Sequence, residues 1–555
     1  MNLLPEALKS MSPSELLSEN ERLLEVVRQQ QQQIQAQQAV IERLESQVAQ
    51  QGERIKQLEE ELRAQKKLKG KPTLKASQLN DTPADEETGE ASGNRGRRGK
   101  RSKKAGFAVD RVEIIQPPVI PAGATFNGYR TYDVQELELS RQNIRFQLAE
   151  YVTVSGETVV GQLPQPYRGG HYGPTLVSYI LYQHYQCRVP QPLIYEQLSD
   201  LGIAISTGQI NRILTEGKSA FHQEQQSVLR VGLETATYIQ TDDTGARHQG
   251  KNGYCTVIGN DWFAYFSSGA SKSRRNFLEV LQGRSPRYIL NDDAQQYLAT
   301  QGLAAKHWAT LTFSDQVLAT EAAAWQAYLS GLGIVSVNAV RVITEAALLG
   351  GVLAQGIRDD LRILSDGAGQ FNLLHHGLCW VHAERALRRL AGSTAQHRQN
   401  IAEMQDLLWT YYRQLQAYRQ APTAEAKQTL VQGFDQLFGR CYRHHISLNL
   451  VLQQFRDRKA ELLRVLDCPE LPLHNNASES DIREYVTRRK ISGTTRSEAG
   501  RQARDTLVGL KKTCRKLGLS FWQYLLSRVH GDDRIPPLPE VIRAKASAHQ
   551  AAAAT

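Results

Sequence analysis

Two apolar, β-branched runs in this chain end on a carboxylate and a glycine-containing turn, and that pattern narrows the folds open to it. They are Tyr-Ile-Gln-Thr-Asp-Asp-Thr-Gly at 238–245 and Ile-Leu-Ser-Asp-Gly-Ala-Gly at 363–369. Each reads as a strand that delivers an acid to the open edge of a sheet. A third acidic segment, His-Asn-Asn-Ala-Ser-Glu-Ser-Asp at 474–481, opens a polar helix. Asn475 or Asn476 is expected to cap that helix, with Glu479 in its first turn or so. Two Asp on strand ends and a Glu on a helix can hold two Mg²⁺ ions about 3.5–4 Å apart, the arrangement used for phosphoryl transfer. Singly, each acid has a plainer explanation, because Asp is common in turns and Glu at a helix start answers the helix dipole.

The residues around these acids resemble the large transposase of the insertion-sequence-sixty-six type, a branch of the DDE transposases. The matching stretches are Asp-Asp-Thr at 242–244, Cys-Trp-Val-His-Ala-Glu-Arg at 379–385, Asn-Asn-Ala-Ser-Glu at 475–479 and Arg-Arg-Lys at 488–490. Gly493, Ala499–Gly500 and the Trp522, Tyr524, Leu525 pattern agree, so the resemblance covers roughly residues 165–530. It implies an RNase H-like catalytic domain that cuts and joins DNA with two Mg²⁺ (Mn²⁺ substituting), on the triad Asp242, Asp366 and Glu479. The chain departs from the family in three places. The family's cysteine-rich zinc segment has no counterpart, since residues 107–165 contain no cysteine and no zinc is expected. His474 replaces an acid before Asn-Asn, and Ser480 replaces an Arg after the Glu.

Composition agrees with a DNA-handling protein. The 555 residues suit three or four domains, and a net charge of +10 favours polyanionic partners. Six scattered cysteines without a Cys-x-x-Cys pair suggest neither disulfides nor a zinc ribbon. No apolar run approaches the roughly 18 residues of a membrane helix, and there is no signal-peptide pattern. The expectation is a cytoplasmic, nucleoid-associated protein with no membrane partner.

Residues 1–65 read as a dimerising coiled coil. The a column is Leu62, Ile55, Val48, Ile41, Ile34, Val27 and Asn20; the d column is Leu58, Gln51, Leu44, Gln37, Gln30, Leu23 and Leu16. β-Branched a positions with Leu at d favour a parallel homodimer, weakened here by Gln at three d positions and by Gly52. Residues 66–108 read as a disordered charged linker ending in Arg95–Lys104, where seven of ten residues are Lys or Arg. Arg95, Arg97, Arg98, Lys100 and Arg101 are candidates for sequence-independent phosphate contact. Residues 109–165 read as a small β-rich segment, with Val112–Ile115 and Ile144–Val154 as its strands.

Within 166–230, Pro192–Asp200 and Ser206–Thr215 form a candidate helix-turn-helix with an S-x-x-Q capping box, leaving Asn211 and Arg212 outward for base contact. Residues 231–530 then follow the order of an RNase H-like mixed sheet, so the fold class expected is multidomain α/β. Its strands are Ala236–Asp243, the hairpin Tyr254–Gly259 with Trp262–Ser267, Leu361–Ser365 and Leu378–Val381. A helical insertion occupies about 391–467, and 531–555 read as a flexible tail. Asp292 and Asp293, after Tyr288-Ile-Leu-Asn, rival Asp366 as the second acid. Asp243 alternates away from Asp242, and Cys379 and His382 read as structural rather than zinc-binding. Beyond Glu479, Arg483, Arg488, Arg489 and Lys490 open a basic stretch suited to double-stranded DNA. The function expected is terminal-repeat binding with Mg²⁺-dependent cleavage and strand transfer, Asp242 being shared by both ions. A nuclease or resolvase without strand transfer, and an inactive dimeric DNA-binding regulator, are the alternatives.

Overall fold

The computed structural model describes residues 109–554, Pro121 excepted, and, upstream, Ser12 and most positions between Ser14 and Gln37. The chain divides into two units, Met1–Arg130 and Thr131–Thr555. In the first, the described residues between Ser14 and Gln37 are helical, and Val27 and Ile34 of the a column are exposed. The rest of the expected zipper and the Arg95–Lys104 run lie outside the described residues. Val112–Ile115 does not form the expected strand. β-Branched residues favour a strand only where a neighbour completes the ladder, and none does so here among the described residues.

In the second unit, only one end of the expected 144–154 strand forms: β1 (Glu150–Val152) pairs antiparallel with β2 (Thr158–Val160). Helices Pro174–Tyr185, Gln191–Asp200, Thr207–Thr215 and Ser219–Thr235 follow. Ser206 caps the third of these, its Oγ accepting from the Gln209 N–H at 3.1 Å. Ile210, Ile213 and Leu214 are buried on that helix while Asn211 and Arg212 are exposed.

The centre is a five-stranded mixed sheet. β3 (Tyr238–His248), β4 (Lys251–Gly259) and β5 (Ala264–Gly269) form an antiparallel meander. β6 (Tyr288–Ile289) and β7 (Val317–Ala319) pair with each other in a separate two-stranded sheet. β8 (Arg362–Ser365) then lies parallel to β3, and β9 (His375–Leu378) parallel to β8, giving the order β5-β4-β3-β8-β9. Buried apolar residues of β3 and β8, such as Ile239 and Ile363, join the main core with the helix Val337–Leu353. Gly232 permits one close approach: a Cβ there would lie 2.6 Å from the Phe263 ring.

The C-terminal helices Asn476–Ser492 and Glu498–Leu517 pack on the meander, the first on β3 and β4 and the second on β5. A buried polar tie fixes them. The Asp505 carboxylate accepts from the Ser268 N–H at 2.7 Å and its hydroxyl at 2.8 Å, and that hydroxyl also meets the Tyr485 hydroxyl at 2.8 Å.

Three further expectations need correction. The first strand does not end at Asp243: β3 runs on to His248, because Thr244–His248 complete the ladder with Lys251–Cys255 of β4. Cys379–Val381 is not strand: β9 stops at Leu378, and Trp380 begins a helix running to Arg388. The indole of Trp380 is buried against Tyr411 and Phe438 of the helical block, so a tertiary contact decides the local conformation. The expected flexible tail forms the helix Leu538–Ala554, which packs on Ser219–Thr235 through buried Leu538, Ile542 and Ala546. Among the described residues, no helix is long and apolar enough to cross a membrane.

Candidate active site

Strand pairing brings the first two acids level. Gln240 of β3 is opposite Leu364 of β8, so the same offset sets Asp242 against Asp366 just past the strand end. The intervening turn is held from both sides. Asp366 accepts from the Ala368 N–H at 3.0 Å, and Gln370 Nε2 donates to Asp243 Oδ2 at 2.9 Å. Asp243, which also accepts from Thr256 Oγ1, is thereby a strut between β3 and the turn carrying Asp366.

Glu479 comes from the helix laid across β3. Asn475 stands at its N-cap position, but its side chain does not cap the helix as expected. Nδ2 instead donates to the Thr241 carbonyl at 2.9 Å, one residue before Asp242. The Asn475 backbone N–H donates to Cys379 Sγ at 3.3 Å, and the Ser478 N–H to Gln240 Oε1 at 3.4 Å. The bonds to Thr241 and Gln240 pin the helix start to β3 and the Cys379 bond ties it to the start of the Trp380–Arg388 helix, which brings the Glu479 charge to bear on Asp242. Cys379 is buried and its thiol is pushed up to about 11 by that burial.

The electrostatics register the convergence. Burial pushes the Asp242 carboxyl up to about 7, and the charges of Asp366 and Glu479 push the same way, against the hydrogen bond it accepts from the Asp243 N–H. Glu479 has a cation beside it, Arg385 Nη1 at 3.3 Å from Oε1, and the His382 ring, its Nε2 3.7 Å away. Burial and then Arg385 lower the pKa of His382. Three buried atoms around the helix start, His382 Nδ1, His474 Nδ1 and Asn475 Oδ1, have no hydrogen-bond partner.

Three carboxylates with mutually repelling charge suit a hard divalent cation such as Mg²⁺, which takes oxygen ligands. Among the described residues no three His, Cys, Asp or Glu side chains are gathered tightly enough to hold a metal as they stand. The two observations are compatible, because Coulomb coupling outreaches ligation and each acid is engaged locally: Asp242 by the Asp243 N–H, Asp366 within its turn, and Glu479 by Arg385. A cation bound here would compete with Arg385 for Glu479.

An acid whose folded pKa is raised binds more protons folded than unfolded, so stability falls as pH climbs from about 4 to about 7. Asp242→Asn is therefore expected to stabilise the metal-free protein at pH 8, with the gap closing towards pH 4–5. Urea unfolding at the two pH values measures this; an equal gap at both would mean that Asp242 carries no such repulsion.

The other candidates fall in different places. Asp292 and Asp293 begin the helix Asp292–Thr300 after β6, outside the five-stranded sheet, and neither is among the charges acting on Asp242. Asn211 accepts from Gln191 Nε2 at 3.2 Å. Arg483 and Lys490 are exposed, while Arg489 donates to the Gly245 carbonyl. Arg488 corrects the expectation of a DNA-facing surface: it is buried and donates to the carbonyls of His184 and Tyr185. Arg385 and Gln370 were missed, although the His382–Arg385 spacing of i,i+3 puts both on one helix face.

A family model described as Transposase IS66 family matches residues 169–309 and 356–503, over half of the chain. A protein of Sinorhizobium fredii (strain NBRC 101917 / NGR234), described as "Uncharacterized protein y4jO", is 43% identical over 328 residues, which is 58% of this chain and all of that protein. The two matched segments carry all three acids. The chain belongs to the IS66 family of transposases, and that membership implies a DNA-processing enzyme.

Proposed function

We propose that the protein is a Mg²⁺-dependent DDE transposase that binds the terminal inverted repeats of an insertion sequence, cuts them and joins the ends to target DNA. The observation that carries this is the convergence of Asp366 and Glu479 on the half-buried Asp242 in a member of a transposase family. The order β5-β4-β3-β8-β9, an antiparallel meander followed by two parallel strands, supports an RNase H-like reading of the catalytic domain. Asp242, Asp366 and Glu479 would hold two Mg²⁺, with Mn²⁺ as a substitute. When bound, such ions supply an activated attacking oxygen and charge neutralisation at the leaving oxygen of an in-line displacement.

The chain's own residues supply the rest. Thr241 and Asn475 lock helix to strand so that the acids stay opposed. Arg385 sits beside Glu479, where a phosphate oxygen would find a cation once the carboxylate turns to metal. Exposed Arg483 and Lys490 extend positive charge along the same helix. In this reading Asn211 and Arg212 contact bases, the Arg95–Lys104 run grips phosphates and the 1–65 repeat joins two copies.

A strand-transfer assay on duplexes carrying the element's own ends tests the proposal. Joining of a 3′ end to target DNA in Mg²⁺ is expected. Nicking without joining would favour a nuclease or resolvase, and end binding with neither a DNA-binding regulator. In the same substrate set, Asn211→Ala with Arg212→Ala is expected to reduce the preference for end over random duplex by roughly 1–3 kcal/mol per lost base contact; unchanged preference would make the 191–215 helix pair scaffold.

A further inference from the structure

Ser365, His376 and Glu461 form a hydrogen-bonded series immediately behind Asp366, buried at Ser365 and His376 and half-buried at Glu461. Ser365 Oγ is 2.8 Å from His376 Nε2, and His376 Nδ1 is 2.8 Å from Glu461 Oε2. Ser365 is wholly buried and His376 is 2% exposed. One assignment of protons satisfies every link. His376 donates from Nδ1 to the Glu461 carboxylate and accepts at Nε2 from the Ser365 hydroxyl, whose oxygen accepts the Gly367 N–H at 3.2 Å. Ser, His and an acid also stand in series in hydrolytic triads, but no substrate reaches this Ser365, so it is no nucleophile.

Both ends of the series bear on one turn. Glu461 lies in the short helix Lys459–Leu462 at the end of the helical block, and accepts from Arg458 Nε at 3.1 Å. Arg458 Nη1 reaches back to the Gly367 carbonyl at 3.4 Å. The Gly367 N–H is thus held through Ser365 and its carbonyl through Arg458, with Asp366 immediately before it. Gly367 has φ +94°, and a Cβ there would stand 2.8 Å from Arg458 Nη1 and from Leu378 Cδ2. The turn is therefore tight, clamped on both sides and closed to a side chain.

We infer that His376 and Glu461 are positioning residues that fix the turn presenting Asp366, so that the helical block is a working part of the active site. The inference rests on the reading of Asp366 as a metal ligand. Outer-shell partners that orient a ligand typically change metal affinity by about 10–100-fold when removed, and the same scale is expected here.

The test is Mn²⁺ binding to the full-length protein by electron paramagnetic resonance, with Mg²⁺-dependent nicking alongside. Glu461→Leu and His376→Phe are expected to weaken Mn²⁺ binding by about tenfold. The Mg²⁺ concentration for half-maximal nicking should rise more than the saturated rate falls. Glu461→Gln, which keeps an acceptor for His376 Nδ1, should recover most of the binding lost in Glu461→Leu. Unchanged Mn²⁺ affinity in folded Glu461→Leu and His376→Phe would overturn the inference, as would a Glu461→Gln variant as weak as the leucine. Should Glu461→Leu fail to fold by circular dichroism, His376→Asn carries the same comparison. Asp366→Ala separates the two levels: wild-type Mn²⁺ binding in that variant removes Asp366 as a ligand and the positioning role with it. Weak binding there with wild-type binding in the His376 variants removes the positioning role alone.

Discussion

Asp242→Ala, Asp366→Ala and Glu479→Ala are each expected to abolish cleavage of the element's ends, by about ten-thousandfold, while end binding persists. Side chains that act as one unit lose nearly everything when any member is removed, and the charges of Asp366 and Glu479 both act on Asp242. The exposed cations Arg483 and Lys490 are untouched by the substitutions, so a gel-shift measurement on the same variants should show little change. Asp292→Ala is the discriminating control. Asp292 lies in the first turn of a helix that Asn291 caps, outside the five-stranded sheet, and is expected to cut normally. If Asp292→Ala were dead and Asp366→Ala active, the second acid would have been misassigned and the pairing of β3 with β8 would not be the frame of the site. The alanine variants at 366 and 479 carry a second signature. Each removes a charge that raises the Asp242 carboxyl, so the pH at which metal-free stability declines should shift downward.

What could be read from the chain alone follows from which signals are local. The strand end at Asp366 was legible because a β-branched run, a carboxylate and a glycine turn are contiguous, and the capped helix at Ser206 because S-x-x-Q is local. The same pattern misplaces the end of the first strand, since β3 runs on through Asp242 and Gly245 to His248 in register with β4. Leu378–Val381 was misread because a short apolar run has no period of its own; the burial of Trp380 against Tyr411, a distant contact, makes it the start of a helix. The final helix was hidden by its alanines, although Leu538, Ile542 and Ala546 recur every four residues on one face. Arg488, Arg489 and Lys490 looked equivalent in sequence, yet consecutive helical residues point about 100° apart, so one of the three turns inward. The Ser365–His376–Glu461 series joins residues 11 and 85 positions apart, and no local pattern announces it.

Glu484→Ala is expected to destabilise the protein by about 3–5 kcal/mol, the usual consequence of removing one partner from a buried charge cluster. Glu484 stands five residues after Glu479 on the same helix and is buried. Lys511 Nζ is 2.7 Å from Oε1, Arg188 Nε donates to the same oxygen at 2.9 Å, and Arg488 Nε lies 3.8 Å away. Burial works against the carboxylate, but Arg188 and Lys511 outweigh it and hold the pKa down at about 2. A folded pKa below the unfolded value contributes stability above about pH 4.5, lost as pH falls towards 2, so the variant's deficit should shrink in acid. Arg188 is partly exposed and can turn to water, whereas Lys511 and Arg488 cannot without leaving the core. Replacing carboxylate and ammonium together, as Glu484→Leu with Lys511→Met, should therefore recover much of the loss. Urea unfolding of the single and double variants measures both effects. A loss below about 1 kcal/mol in Glu484→Ala, the level of an exposed ion pair, would mean that water reaches this cluster. The helix that presents Glu479 would then be held to its neighbours mainly by Asn475 and by the Asp505–Ser268–Tyr485 tie.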